Sequence, residues 1–143
     1  FKNPDIFKKV IYSMASLDIC NDIDAIIAID ARGFLLGSAL SIKLNKPLIL
    51  ARKPGKLPGK ITTKTYSLEY GNNSLSIQDK SIEPYNDFLI IDDLLATGGT
   101  VNCVKEIIEE KNKTVKGLII LIELVNLKGR YKFKFPVKSL ITY

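Results

Sequence analysis

A chain of 143 residues, 46% hydrophobic and 25% charged, is long enough to bury one core and too apolar to be disordered. It contains no histidine, which excludes Ser-His-Asp and Cys-His catalysis, imidazole metal sites and histidine pH switching. The net charge of +6 points toward an anionic partner, and two cysteines, Cys20 and Cys103, are too few for a four-cysteine zinc site. Lacking CxxC spacing, they read as buried small hydrophobes in a reducing, cytoplasmic setting. The apolar runs are too short to span a bilayer, so a membrane is not an expected partner. Phe1 stands where a methionine would open an intact chain, and the start reads as trimmed.

Asn3-Pro4-Asp5 predicts a helix start, with a capping asparagine, a first-turn proline and an acid near the positive end of the dipole. Ile6, Phe7, Val10, Ile11 and Met14 follow at helical spacing and are expected to face inward. Residues 25–29, apolar throughout and followed by Asp30, predict a buried strand. Residues 33–43 predict a helix with Phe34, Leu35, Ala39, Leu40 and Ile42 turned inward. A second strand is expected at 48–51, then a basic loop punctuated by Gly and Pro at 52–60. Residues 66–70 and 74–77, on either side of Gly71-Asn72-Asn73, predict a β-hairpin. A third strand at 88–91, a helix at 100–110, a fourth strand at 117–124 and an edge strand at 139–143 complete the chain.

Such alternation predicts one α/β domain over 1–143, a mostly parallel sheet flanked by helices. Ligands of these sheets gather at the carboxyl ends of the strands, where Asp30, Arg52 and Asp92-Asp93 fall. Eighteen lysines stand against three arginines, Arg32, Arg52 and Arg130. Arginine used so sparingly suggests sites that need its planar fork. Two stretches, 52–64 and 128–143, each carry five positive residues and no acid, and by themselves read as solvated surface.

The segment from Phe88 to Val101 is the most informative. An apolar strand runs into Asp92-Asp93, then Leu94-Leu95-Ala96-Thr97-Gly98-Gly99-Thr100 opens a helix. The two glycines let the backbone approach a ligand, the threonines add hydroxyls, and the helix offers free N–H groups. A phosphate suits that loop. Carboxylates would repel a phosphate, so Asp92 and Asp93 suit ribose hydroxyls or a magnesium ion. Two other readings stay open at this point. A Walker B strand would need a Walker A loop, and Gly55-Lys56-Leu57-Pro58-Gly59-Lys60-Ile61 has the wrong spacing for one. A plain threonine-capped strand-to-helix turn leaves the acid pair unexplained.

Residues 90–100 resemble the phosphoribosyl-pyrophosphate signature of the type I phosphoribosyltransferases, in the form found in the members that act on adenine. Asp30-Ala31-Arg32-Gly33-Phe34 resembles the family's pyrophosphate loop. Arg52-Lys53-Pro54-Gly55-Lys56-Leu57-Pro58-Gly59 resembles its mobile-loop start, and Tyr66-Ser67-Leu68-Glu69-Tyr70-Gly71 the loop's return strand. Ile122-Glu123-Leu124 with Leu127-Lys128-Gly129-Arg130 is similar to its carboxyl-terminal end.

The resemblance implies the type I phosphoribosyltransferase fold with a mobile β-hairpin loop, and a reaction joining adenine to phosphoribosyl pyrophosphate to give AMP and pyrophosphate. It implies phosphate binding by Ala96, Thr97, Gly98, Gly99 and Thr100, and ribose or magnesium contacts by Asp92 and Asp93. Pyrophosphate would be met by Arg32, Arg52, Lys53, Lys56 and Tyr70, with Leu94 a wall of the base pocket. Glu69, the only acid between Asp30 and Asp79, would manage the adenine N9 proton or steady the ribose cation. Mg2+ would arrive with the substrate, without a tight protein site of its own. Asp30 would shape the Arg32 loop, Arg130 would pair with Glu123, and Lys60 and Lys64 would stay solvated.

The family also implies a homodimer, and an amino-terminal hood over the base to which no residue here corresponds. A phosphoribosyl-pyrophosphate-sensing regulator is the alternative from another class. Its DNA-binding domain has no counterpart here, and nucleic acid is not expected as a partner. A transferase for another purine is the remaining alternative.

Overall fold

The computed structural model describes residues 1–67 and 72–143. Its first helix, α1 (Pro4–Ala15), is capped as the sequence predicts, with the Asn3 side chain accepting from the N–H groups of Asp5 and Ile6 at 3.0 Å. Strand β1 (Ala25–Ile29) is buried along its whole length. It is followed by α2 (Gly33–Leu44), β2 (Leu48–Ala51) and a hairpin of β3 (Ile61–Ser67) and β4 (Asn72–Gln78). A short α3 (Asp79–Ile82), β5 (Asp87–Leu95), α4 (Gly99–Glu110), β6 (Thr114–Glu123) and β7 (Val137–Thr142) complete the order.

The sheet runs β2-β1-β5-β6-β7, with every neighbouring pair parallel. The chain lays β2 on one side of β1 and then returns to place β5 on the other. The carboxyl ends of β1 and β5 therefore flank a topological switch point, the place where open α/β sheets bind ligands. Asp30 leaves one of those ends and Asp92-Asp93 sit in the other.

Alternate residues of β1 supply two cores. Ile27 and Ile29 pack with Ile90, Val104 and Ile108 under α4 and the hairpin. Ile26 packs with Met14, Leu36, Leu40 and Ile91 under α1 and α2. Each cysteine belongs to one core. Burial pushes the Cys20 thiol up to about 11 and raises that of Cys103, as inert core thiols require.

The inward face of α2 differs from the expected one. Leu36, Leu40, Gly33 and Gly37 are buried, whereas Leu35 is 50% and Ile42 83% exposed. The reason is close packing: a Cβ on Gly37 would come within 2.5 Å of the Ala28 Cβ, so the helix lies on β1 through its smallest residues. Ile6 of α1 is likewise exposed, while Ile11 and Met14 are buried.

The hairpin is longer than its hydrophobic pattern predicts. Its extension is tied by hydroxyl contacts, Thr63 to Ser76 at 2.7 Å and Thr65 to Ser74 at 2.8 Å, with Thr62 donating to Asp79 at 2.6 Å. Two backbone bonds between Arg52 and Ser76 fasten it to the end of β2. Lys64, expected to be solvated, pairs with Glu110, and Lys60 lies 3.7 Å from Asp79.

Candidate active site

β5 continues through Asp92-Asp93 to Leu95, so the acid pair belongs to the strand and not to the loop after it. Alternation then sends the two side chains to different surroundings. Asp92 is 7% exposed and accepts from the Asp93 N–H at 2.8 Å. Burial pushes its carboxyl up to about 8, against the opposing pull of that backbone bond, with the Asp93 charge adding to the rise. Asp93 reaches the opening and pairs with Arg32, whose guanidinium is held above its ordinary pKa first by that hydrogen bond and then by the Asp93 charge.

After Leu95 the chain turns through Ala96 and Thr97 to Gly98, which caps α4 in the left-handed region at φ +80°. No side chain caps this helix, which leaves its first N–H groups without an intrahelical partner. The peptide between Asp30 and Ala31 on the facing loop is cis.

These parts line one cleft of about 370 Å³. It gathers Arg32, Lys53, Asp92, Asp93, Leu94 and the whole Ala96, Thr97, Gly98, Gly99, Thr100 loop, as the sequence predicts. Leu94 is 36% exposed there, whereas its neighbour Leu95 packs into the core at 1%. Arg52 and Lys56 do not line it. Arg52 instead places Nε 3.5 Å from Asp30, donates from Nη1 to the Lys56 carbonyl at 3.1 Å, and lies 5.8 Å from the Phe34 ring centre. The Asp30 carboxylate therefore faces Arg52. Glu69 and Tyr70 lie outside the described residues.

Sequence reasoning missed Tyr66 and Asn73, which face each other across the hairpin and line the cleft. Thr100 donates a long hydroxyl bond of 3.4 Å to Tyr66. The hairpin prediction carried the available signal, since paired residues near its tip reach whatever the hairpin overhangs. Among the described residues, no cluster of three or more acids or thiols could hold a metal ion alone. Arg130 meets Glu123 as predicted, donating from Nε at 2.6 Å, and this bond holds the Glu123 carboxyl below the usual range.

A profile of the phosphoribosyl transferase domain matches residues 2–141. An adenine phosphoribosyltransferase of Prochlorococcus marinus (strain MIT 9515) is 57% identical over 142 residues, 99% of this chain and 83% of that protein. The solved adenine phosphoribosyltransferase of Thermoanaerobacter pseudethanolicus matches with a TM-score of 0.91 at 37% identity, covering 99% of this chain and 83% of its own. That of Saccharomyces cerevisiae, solved with an imino-altritol bisphosphate and adenine, matches with a TM-score of 0.87 at 33% identity, covering 98% and 82%.

Proposed function

The chain belongs to the phosphoribosyl transferase family, and we infer that its activity is purine salvage. It transfers the phosphoribosyl group of phosphoribosyl pyrophosphate to adenine, giving AMP and pyrophosphate. The observation that carries this reading is one cleft that brings together a helix-opening glycine loop, an acid pair and Arg32, the kinds of group a 5′-phosphate, a ribose and a pyrophosphate would need. Names shared by relatives add the base, adenine, and give no support to a regulatory role.

In this reading Ala96, Thr97, Gly98, Gly99 and Thr100 take the 5′-phosphate through backbone N–H groups and hydroxyls. Asp92 and Asp93 take the ribose hydroxyls. Leu94 offers the purine an apolar wall. As the bond to pyrophosphate breaks, negative charge grows on the leaving group, and Arg32, Lys53, Arg52, Lys56 and Tyr70 oppose it. For this Arg32 exchanges Asp93 for the incoming anion. Glu69 receives the adenine N9 proton or steadies the ribose cation. Mg2+ carried by phosphoribosyl pyrophosphate would supply positive charge to the diphosphate, with Asp92 and Asp93 the acids of the cleft that could meet it.

We place the protein in the cytoplasm, where two unpaired buried thiols are at home. We further propose a homodimer, supported by the large apolar residues Leu35 and Ile42 on the outer face of α2. Incubation with phosphoribosyl pyrophosphate, Mg2+ and each of adenine, hypoxanthine, guanine and xanthine tests the reaction. AMP from adenine is the expected product. Turnover of another purine in preference, or none with any, would overturn the assignment.

A further inference from the structure

The segment Leu127-Lys128-Gly129-Arg130 has no part in the chemistry above, yet it packs against the back of the phosphate loop. β6 ends at Glu123, which lies between Leu95 of β5 and Thr142 of β7. Leu95 leads directly into Ala96, and the Leu124 N–H donates to the Leu95 carbonyl at 2.9 Å. The Glu123 side chain is buried at 2% exposure. Arg130 Nε donates to its Oε1 at 2.6 Å, while Arg130 Nη2 and the Ser139 hydroxyl donate to Oε2. A buried carboxylate is costly unless fully partnered, so this network fixes the course of the chain from 124 to 130.

What it fixes is Gly129. A Cβ at that position would collide with the Ala96 carbonyl and stand 3.1 Å from the Gly98 nitrogen. From the other side, a Cβ on Gly98 would stand 3.0 Å from the Gly129 carbonyl and 3.2 Å from the Phe133 ring. The phosphate loop therefore rests on the backbone of Gly129, and Gly129 is placed by Arg130.

We propose that Gly129 and the Glu123–Arg130 pair are positioning groups that hold the phosphate loop in its binding geometry from behind. The inference rests on the phosphoribosyl reading. A loop that binds through backbone N–H groups has no long side chains with which to correct a displaced frame, so its aim depends on what lies beneath it. A lysine at 130 would keep the charge but lose the fork.

Calorimetric titration of AMP and of pyrophosphate separates this role from general loosening, because only AMP carries a 5′-phosphate. Gly129→Ala should weaken AMP by about 10- to 100-fold, and Arg130→Lys by roughly tenfold, with pyrophosphate within about twofold. The amide resonances of Gly98 and Gly99 should move in both variants. Should either variant fail to fold, Ser139→Ala removes one hydroxyl from the network and should still weaken AMP selectively, by roughly threefold. Unchanged AMP affinity, or equal loss for both ligands, overturns the inference while leaving the proposed function intact. Failure of the unsubstituted protein to bind AMP overturns the proposed function, and this inference with it.

Discussion

In the proposed reading, the two ends of the cleft would handle anions by different means. At the proposed phosphate end the donors would be backbone groups at the start of α4, in place before any ligand arrives and backed by Gly129. At the end proposed for pyrophosphate the candidate donors are long side chains: Arg32, in the cleft, already holds Asp93, and Arg52, outside the cleft lining, lies 3.5 Å from Asp30. A backbone site costs little reorganisation and binds a ligand that stays attached throughout the reaction. A side-chain site can exchange partners, which suits a group that must gain charge and then leave. The ends should therefore fail in different ways.

Breaking the backbone end should have the largest effect on ligand affinity. Gly98→Val puts a branched side chain where φ is +80° and where the Gly129 carbonyl and the Phe133 ring leave no room. The left-handed conformation alone costs about 1–2 kcal/mol, and the loop must shift besides. AMP affinity should fall by about 100-fold or more, with pyrophosphate nearly unaffected. Calorimetry with both ligands checks this, and equal losses would show that the ends are not independent.

Arg32→Met tests the other end. The substitution keeps much of the length, removes the fork and leaves Asp93 without its cation. kcat/KM for phosphoribosyl pyrophosphate should fall about 10²–10³-fold, the range for losing a donor aimed at developing charge. AMP, which lacks the pyrophosphate, should bind within roughly threefold of the unsubstituted protein. Steady-state kinetics beside AMP titration would expose a common defect if both fell together.

Between the ends lies Asp92, whose raised pKa gives a stability signature. In the unfolded chain an aspartate titrates near about 3.9. In the folded, ligand-free chain Asp92 holds its proton up to about 8. The folded state thus binds more protons across that window, so this group's contribution to stability is complete below the lower value and is lost as pH rises through the upper one. Asp92→Asn should flatten that part of the profile. Urea unfolding at several pH values checks it, and an unaltered slope in the variant would assign the dependence elsewhere.

Sequence alone placed the loop that opens α4 better than it placed the basic residues near Asp30, for a physical reason. A strand, two acids and Gly98-Gly99 opening a helix are contiguous, and backbone geometry follows from local residue type. Arg52 is decided by remote partners, Asp30 and the Lys56 carbonyl, which spacing cannot express. The fold shows the same division. The alternation of strands and helices along the chain and the Asn3 cap followed from pattern and local chemistry, but the buried face of α2 did not. Counting large apolar residues selected Leu35 and Ile42, whereas the packing face uses Gly33 and Gly37 to approach the sheet. The early part of β3, with Thr62, Thr63 and Thr65, carries no hydrophobic alternation because hydroxyl pairs fasten it.

The smallest expected effect tests whether the acids hold the pyrophosphate end in reserve. Asp30→Asn preserves size but removes the negative charge 3.5 Å from Arg52 Nε. Arg52 keeps its bond to the Lys56 carbonyl and its backbone bonds to Ser76, so its main chain should stay in place. What changes is the competition: the guanidinium no longer has a resident anion to give up. Pyrophosphate should bind about two- to fivefold more tightly, a gain in the range of one partly exposed charge pair, while stability falls by no more than about 1 kcal/mol. AMP affinity should not move, because the phosphate loop does not involve Asp30. Titration of the two ligands into the variant decides the matter. Weaker pyrophosphate binding would mean that Asp30 orients Arg52 for the ligand and that the acid is part of the binding end.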